Sequence, residues 1–228
     1  MILSPDTNIF ISAYLGKEET ERIKSTLLIE NDFKQAKSVL VSSVKHEFYD
    51  LVDTFHTTIE AMLLYLNSKK SLDKAISLLP ETNFIDKNQL KKGLKLLDLS
   101  VQDIDTDLKK RESFATNINK KLSEIKGDFA LIARTYFMKD QLPDSQVNQC
   151  IEVIEEGCKQ INQKYGKVIH HPDNEHWIRT ALTNKKEETK FVTTDYFGLK
   201  NSNYIQVAKE IEMMINNKLG TLFSFLFK

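Results

Sequence analysis

The feature that most constrains this chain is an asymmetry of pattern. Both ends alternate short apolar runs with helical periodicity, while the long middle carries helical spacing alone. At the start, Met1 to Leu3 is an apolar run closed by Pro5, and Asp6-Thr7-Asn8 offers capping residues before Ile9, Phe10, Ile11, Ala13 and Tyr14. That reads as strand, tight turn, helix. The second unit repeats the order: Val39-Leu40-Val41 is β-branched and short, Ser42-Ser43 supply a cap, and Val44, Phe48, Leu51, Val52 and Phe55 follow helical spacing. A β-α-β-α rhythm implies a parallel sheet, because parallel neighbours need a crossover and a helix is the usual one.

From about Thr57 to Tyr165 no strand stands out, and Leu90, Leu94, Leu97, Val101, Ile104 and Leu108 recur at three and four. This stripe reads as the core of a helical hairpin or small bundle. The α/β order then returns. Lys167-Val168-Ile169 reads as a short strand, His170-His171-Pro172 as a turn and Asp173 to Leu182 as a helix. Lys190 to Asp195 is a strand ended by an acid, Tyr204 to Asn217 a helix, and Leu222 to Phe227 a terminal strand or docked segment. The expected architecture is a Rossmann-like α/β domain, a parallel sheet flanked by helices, built from residues 1–56 and 166–228. A large all-helical insertion, residues 57–165, packs on or beside it.

Composition agrees. The chain has 7 Gly and 4 Pro in 228 residues, low against average usage of about 7% and about 5%, which disfavours turn-dense all-β folds. Lys and Arg (32) balance Asp and Glu (32), so a globally basic nucleic-acid-binding domain is excluded and charge must act locally. Lys69-Lys70, Lys91-Lys92, Lys109-Lys110-Arg111 and Lys120-Lys121 make the middle locally basic, either as solvated helix faces or as a phosphate-facing surface. Cys150 and Cys158, eight apart on a helical segment, stand about 12 Å apart and cannot pair with each other. Reduced thiols, no run of 18 apolar residues and an early polar break after Met1 point to a cytoplasmic protein without a membrane span. The insertion and the apolar tail are the candidate surfaces for a protein partner or for self-association.

The chemistry lies in the acids. Parallel sheets place ligands outside the carboxyl ends of their strands, and Asp6 and Asp195 each end a predicted strand. Glu47 sits in the first turns of the helix after the second strand, and Asp173 at the start of the helix after the third. Clustered carboxylates repel unless a cation fills the site, and hard oxygen ligands suit Mg²⁺ or Mn²⁺. Such an ion neutralises a scissile phosphate and acidifies a bound water.

These residues also carry a family resemblance. Ile2 to Ile11 (ILSPDTNIFI) resembles the opening motif of PIN-domain nucleases, and Phe191-Val192-Thr193-Thr194-Asp195 their closing strand motif. Between them, Val41 to Phe48 is similar to the family's glutamate-bearing motif and Pro172 to Leu182 to its third motif, in the family's order. The resemblance implies a divalent-metal-dependent endoribonuclease acting on single-stranded or exposed RNA, with Asp6, Glu47, Asp173 and Asp195 as catalytic and metal-holding acids. It assigns support to Thr7, Asn8 and Thr194. In the third motif the acidic position falls on Asn174, flanked by Asp173 and Glu175, and Glu175 is the reserve ligand.

Other readings stand beside this one. A PIN-like module that binds RNA or protein through a degenerate acidic site fits the same pattern. His170, His171 and His176 with Asp173 suggest a transition-metal site, but adjacent histidines diverge and His171 and His176 lack one-face helical spacing. Trp177 reads as core. No P-loop, Gly-rich dinucleotide fingerprint or serine-nucleophile elbow occurs.

Overall fold

The computed structural model describes residues 1–16, 18–67, 108–199 and 203–228. Along the described chain run β1 (Ile2–Pro5), α1 (Thr7–Leu15), α2 (Glu19–Leu27) continuing into a π-helical turn (Leu28–Phe33), β2 (Val39–Leu40), α3 (Ser42–Asn67) and α4 (Leu108–Tyr136). There follow β3 (Met138–Lys139), α5 (Asp144–Tyr165), α6 (His171–Leu182), β4 (Thr189–Thr193), α7 (Asn203–Leu219) and β5 (Phe223–Phe227). They form two compact units, one of residues 1–10, 24–46 and 132–228, the other of 11–23 and 47–131.

The first unit is an α/β fold with a parallel sheet flanked by helices, as the β-α rhythm of the ends requires. β1 pairs parallel with β4, Ile2 opposite Thr189 through Pro5 opposite Val192, and β4 pairs parallel with β5. The Asp6 amide donates to Val192 O at 2.8 Å, so the ladder runs one residue past β1. On the other side of β1, the Leu3 amide donates to Lys37 O at 3.0 Å beside a parallel bridge from Leu3 to Ser38, and β2 pairs parallel with β3. The strands thus lie in the order β3-β2-β1-β4-β5. The chain winds outward from β1 in one direction and then returns to its other side, which makes the carboxyl end of β1 a topological switch point.

Strand patterning explains the layers. All four residues of β1 are buried, as expected for a strand covered on both faces. α6 lays His176 over Phe191, ring centroids 6.4 Å apart, and Trp177 edge-on against Phe225 at 5.4 Å; Trp177 is core, as expected. The edge strand β5 is blunted by α7: Asn216 accepts from the Phe223 amide at 2.7 Å and donates to its carbonyl at 2.8 Å, and Glu212 accepts from the Phe225 amide at 2.7 Å. Side chains therefore occupy edge groups that another chain would otherwise pair with.

Three features depart from the sequence expectation. Val168 and Ile169 join no strand; the Asn162 side chain takes the place of a neighbour, accepting from both amides at 3.0 and 2.8 Å and donating to Ile169 O at 3.0 Å. β3 falls inside the stretch read as purely helical, because two exposed residues carry no periodicity. Residues 132–165, read as part of the insertion, cluster with the sheet.

In the second unit, the periodic apolar face of α3 meets α4. Phe48 stacks on Phe129 at 4.0 Å, Tyr49 meets Phe129 edge-on at 5.4 Å, and Tyr14 lies 5.9 Å from Phe48. Phe48, Val52, Phe114 and Phe129 are fully buried, each contributing about 1.5–3 kcal/mol. Lys126 and Asp53 form an ion pair on this unit's surface. The leucine stripe from Leu90 to Ile104 and the pairs Lys69-Lys70 and Lys91-Lys92 lie outside the described residues. Among the described residues no helix is long and apolar enough to cross a membrane. Both cysteines are free; Cys158 is buried, and burial pushes its thiol up to about 11.

Candidate active site

Asp6 is the residue at the switch point. It follows the last residue of β1 and precedes the first of α1, and its carbonyl accepts from the Ile9 amide at 3.2 Å, so the local fold is strand, cap, helix. Continuing the β1–β4 register sets Thr193 opposite it, and the Thr193 hydroxyl donates to Asp6 Oδ2 at 2.6 Å. The same hydroxyl oxygen accepts from the Asp195 amide at 2.9 Å and from Asn8 Nδ2 at 3.3 Å. A threonine hydroxyl has one proton and two lone pairs. Both lone pairs meet obligate donors here, so the proton goes to Asp6 and that carboxylate oxygen acts as acceptor.

This hub brings together three of the predicted site residues, Asp6, Asn8 and Asp195. Asp195 is exposed at the end of β4, Asp6 is half-buried, and Thr7 is buried in the first turn of α1. The hydroxyl that joins them is Thr193's; Thr194, the supporting residue of the closing motif, follows it half-buried. Strand alternation carries the signal: Thr189, Phe191 and Thr193 share one face of β4, and register sets the last of them beside Asp6.

The third motif is placed differently. α6 feeds β4 and runs back against it, so its first turn lies at the carboxyl rim, yet each of its polar residues has other bonds. Asp173 Oδ2 accepts from the His170 amide at 3.2 Å, the reciprocal arm of a helix cap. Asn174 is buried and its Oδ1 accepts from the Cys158 thiol of α5 at 3.8 Å. Glu175 Oε1 accepts from Arg179 Nε at 2.7 Å. Glu47 stands one turn beyond Ser43 on α3, half-buried, and belongs to the second unit. Among the described residues no three His, Cys, Asp or Glu side chains gather into one metal-sized group.

Sequence reasoning missed an ionic network under α6. Arg179 is 3% exposed and reaches Asp140 Oδ2 at 3.0 Å, Leu142 O at 3.2 Å, Glu175 and Asp144. Burial works against its charge, but the bonds from Glu175 and Asp144 and the charge of Asp140 outweigh it and hold its pKa above the usual value. Asp140 Oδ2 also accepts from the amide and hydroxyl of Ser42 at 3.2 and 3.1 Å, capping α3. Beside it, His176 Nδ1 shares a 2.7 Å hydrogen bond with Ser43 Oγ. α6 thereby fixes where α3 starts. Nothing in the spacing of Asp140 marks it, since it follows a two-residue strand. With His176 buried on Ser43 and His170 exposed, this structure gives the transition-metal reading no support; the His171 side chain lies outside the described residues.

Around the Thr193 hub the candidate donors are oxygens, the carboxylates of Asp6 and Asp195 and the amide oxygen of Asn8. Asn8 Oδ1 is buried and has no hydrogen-bond partner among the described residues. A buried acceptor without a donor is costly, and oxygen donors of this kind are those that could hold a hard divalent cation of the Mg²⁺ or Mn²⁺ type. A cavity of about 460 Å³ lies elsewhere, lined by residues that include Ile2, Val39, Met138, Asp140 and Thr183, and contains none of the predicted acids. Comparisons with protein-family models, curated proteins and solved structures return no match for this chain.

Proposed function

We propose that the chain is a divalent-metal-dependent endoribonuclease that hydrolyses phosphodiester bonds of single-stranded or exposed RNA on a PIN-like scaffold. The observation that carries this reading is the Thr193 hub at the switch point, where one hydroxyl binds the Asp6 carboxylate and the Asp195 backbone. Asp6, Asp195 and Asn8 Oδ1 are the groups that would hold Mg²⁺ or Mn²⁺; Mg²⁺ commonly takes one or two carboxylates and leaves its other positions to water and substrate phosphate. A bound ion supplies charge stabilisation at the phosphate and acidifies a water.

The chain's own residues do the rest. Thr193 fixes the Asp6 carboxylate in one orientation, and its hold on the Asp195 amide sets where the exposed Asp195 side chain leaves the sheet. Water attacks phosphorus, the 3′ oxygen departs with a proton, and the products carry a 5′ phosphate and a 3′ hydroxyl. Cleavage of end-labelled single-stranded RNA in Mn²⁺, Mg²⁺ and EDTA, by the parent chain, Asp6→Asn, Asp195→Asn and Glu47→Gln, tests this. Metal-dependent cleavage that falls on the order of a hundred-fold in the Asp6 and Asp195 variants supports the reading; equal residual cleavage in all of them ends it.

A second reading draws on the third motif. With Asp173 bonded to His170 and Glu175 to Arg179, the acids support a PIN-like module that binds RNA or protein without turnover. RNA binding with no cleavage in either metal selects it.

A further inference from the structure

The residue after Asp195 has an unusual setting. Tyr196 opens a turn closed by a 2.9 Å bond from the Leu199 amide to its carbonyl, and the two central residues, Phe197 (φ 57°) and Gly198 (φ 65°), are both left-handed. Glycine adopts that conformation freely and phenylalanine does not. Packing enforces it: the Phe197 ring sits 6.1 Å from Trp177, 5.5 Å from Phe225 and 6.0 Å from Phe227. Strain kept in place by surrounding packing tends to collect at working sites.

The turn aims Tyr196. Its ring lies nearly parallel to Phe227, 16° apart at 5.8 Å, with Tyr204 edge-on at 4.8 Å, and its hydroxyl donates to Lys228 O at 3.3 Å. Phe227 and Tyr204 thereby hold the ring in one pose, and the residue remains 39% exposed. Register sets Phe227 opposite Thr193, and Thr193 bonds Asp6. Two strand spacings, about 10 Å, separate Asp6 from the aromatic group along the rim, comparable to the reach from a phosphate to the base of an adjoining nucleotide.

We propose that Tyr196 is a stacking platform for an unpaired RNA base flanking the bond to be cut, an assignment that rests on the nuclease reading for its substrate. Every base presents a π-face, so such a platform accepts single strands with little regard to sequence and rejects duplexes, whose bases are already stacked. The pre-set ring loses little freedom when a base settles on it.

Anisotropy titrations in EDTA, where nothing is cleaved, test it with a labelled oligouridylate and an abasic ribose-phosphate chain of equal length. The parent binds the base-bearing strand roughly ten-fold more tightly than the abasic one. Tyr196→Phe keeps that preference, and Tyr196→Ala and Tyr196→Leu lose it. The near-ultraviolet signal of Trp177 verifies each fold, and either non-aromatic variant that retains the signal suffices. A preference that survives in both, or is missing in the parent, overturns the proposal. The two readings fail separately: base preference lost with Tyr196 but no metal-dependent cleavage ends the nuclease alone, and cleavage with an unaltered preference ends the platform alone.

Discussion

Thr193 Oγ1 stands 2.6 Å from Asp6 Oδ2, joining residues 187 positions apart in the chain. The bond exists because β4 returns alongside β1 in parallel register. It predicts that Thr193→Val, which keeps the β-branched shape, leaves Asp6, the Asp195 amide and Asn8 without their shared partner. Leaving such groups unsatisfied costs about 1–3 kcal/mol, and loss of a group that orients a ligating carboxylate costs roughly 10–100-fold in activity or metal affinity. Thr193→Ser restores both. Denaturant unfolding and initial cleavage rates measure the two effects, and a valine variant matching the parent in each removes Thr193 from the site.

Arg179 is surrounded by Asp140, Asp144 and Glu175, with the Asp140 side chain 2% exposed. Arg179→Met leaves Asp140 and Glu175 without their cation and destabilises the first unit by about 3–5 kcal/mol, the cost of breaking a buried pair from one side. Arg179→Lys recovers only part, since one ammonium cannot serve three directions. Urea midpoints at constant slope measure this. A methionine variant as stable as the parent shows that the network contributes nothing net.

Burial raises the pKa of Glu212, against the bond from the Phe225 amide and the charges of Lys209 and Lys190. A carboxyl whose folded pKa is raised takes up protons more readily folded than unfolded. Its contribution to stability therefore declines as pH rises from about 4.3, the unfolded value, to the raised one. Glu212→Gln retains an acceptor for the Phe225 amide and removes the titration. The stability difference, variant minus parent, should grow in the variant's favour across that interval and level off above it. Parallel pH profiles contradict the burial argument.

Much of the sheet could be read from the chain because β-branched and aromatic runs bounded by Pro5, Ser42 or Asp195 carry their own signal. β1, β2, β4 and β5, and the helices that follow the first three, lie where those runs are. Val168-Ile169 shows the limit: the residues have strand chemistry, but the Asn162 amide satisfies their backbone locally, so no pairing partner is required. β3 shows the converse, a strand created by its neighbour Val39 rather than by its own pattern.

The acids divide in the same way. Asp6 and Asp195 lie just past the ends of β1 and β4, where the strand patterns put them, because a strand end marks a position in the sequence. Asp173 and Glu175 lie at a helix start, where carboxylates also serve as caps and ion-pair partners, and sequence spacing does not separate these uses. The bond from Thr193 to Asp6 depends on the β1–β4 register, a relationship between distant segments that sequence spacing does not carry.

The most direct test is the binding of Mn²⁺ by electron paramagnetic resonance, in which free ion gives the signal and bound ion loses it. Titrating Mn²⁺ into the parent chain should deplete the free signal in a saturable way, while Asp6→Asn and Asp195→Asn leave it largely intact at the same concentrations. Equal depletion by parent and variants would contradict the assignment of a divalent-ion site to the carboxyl rim.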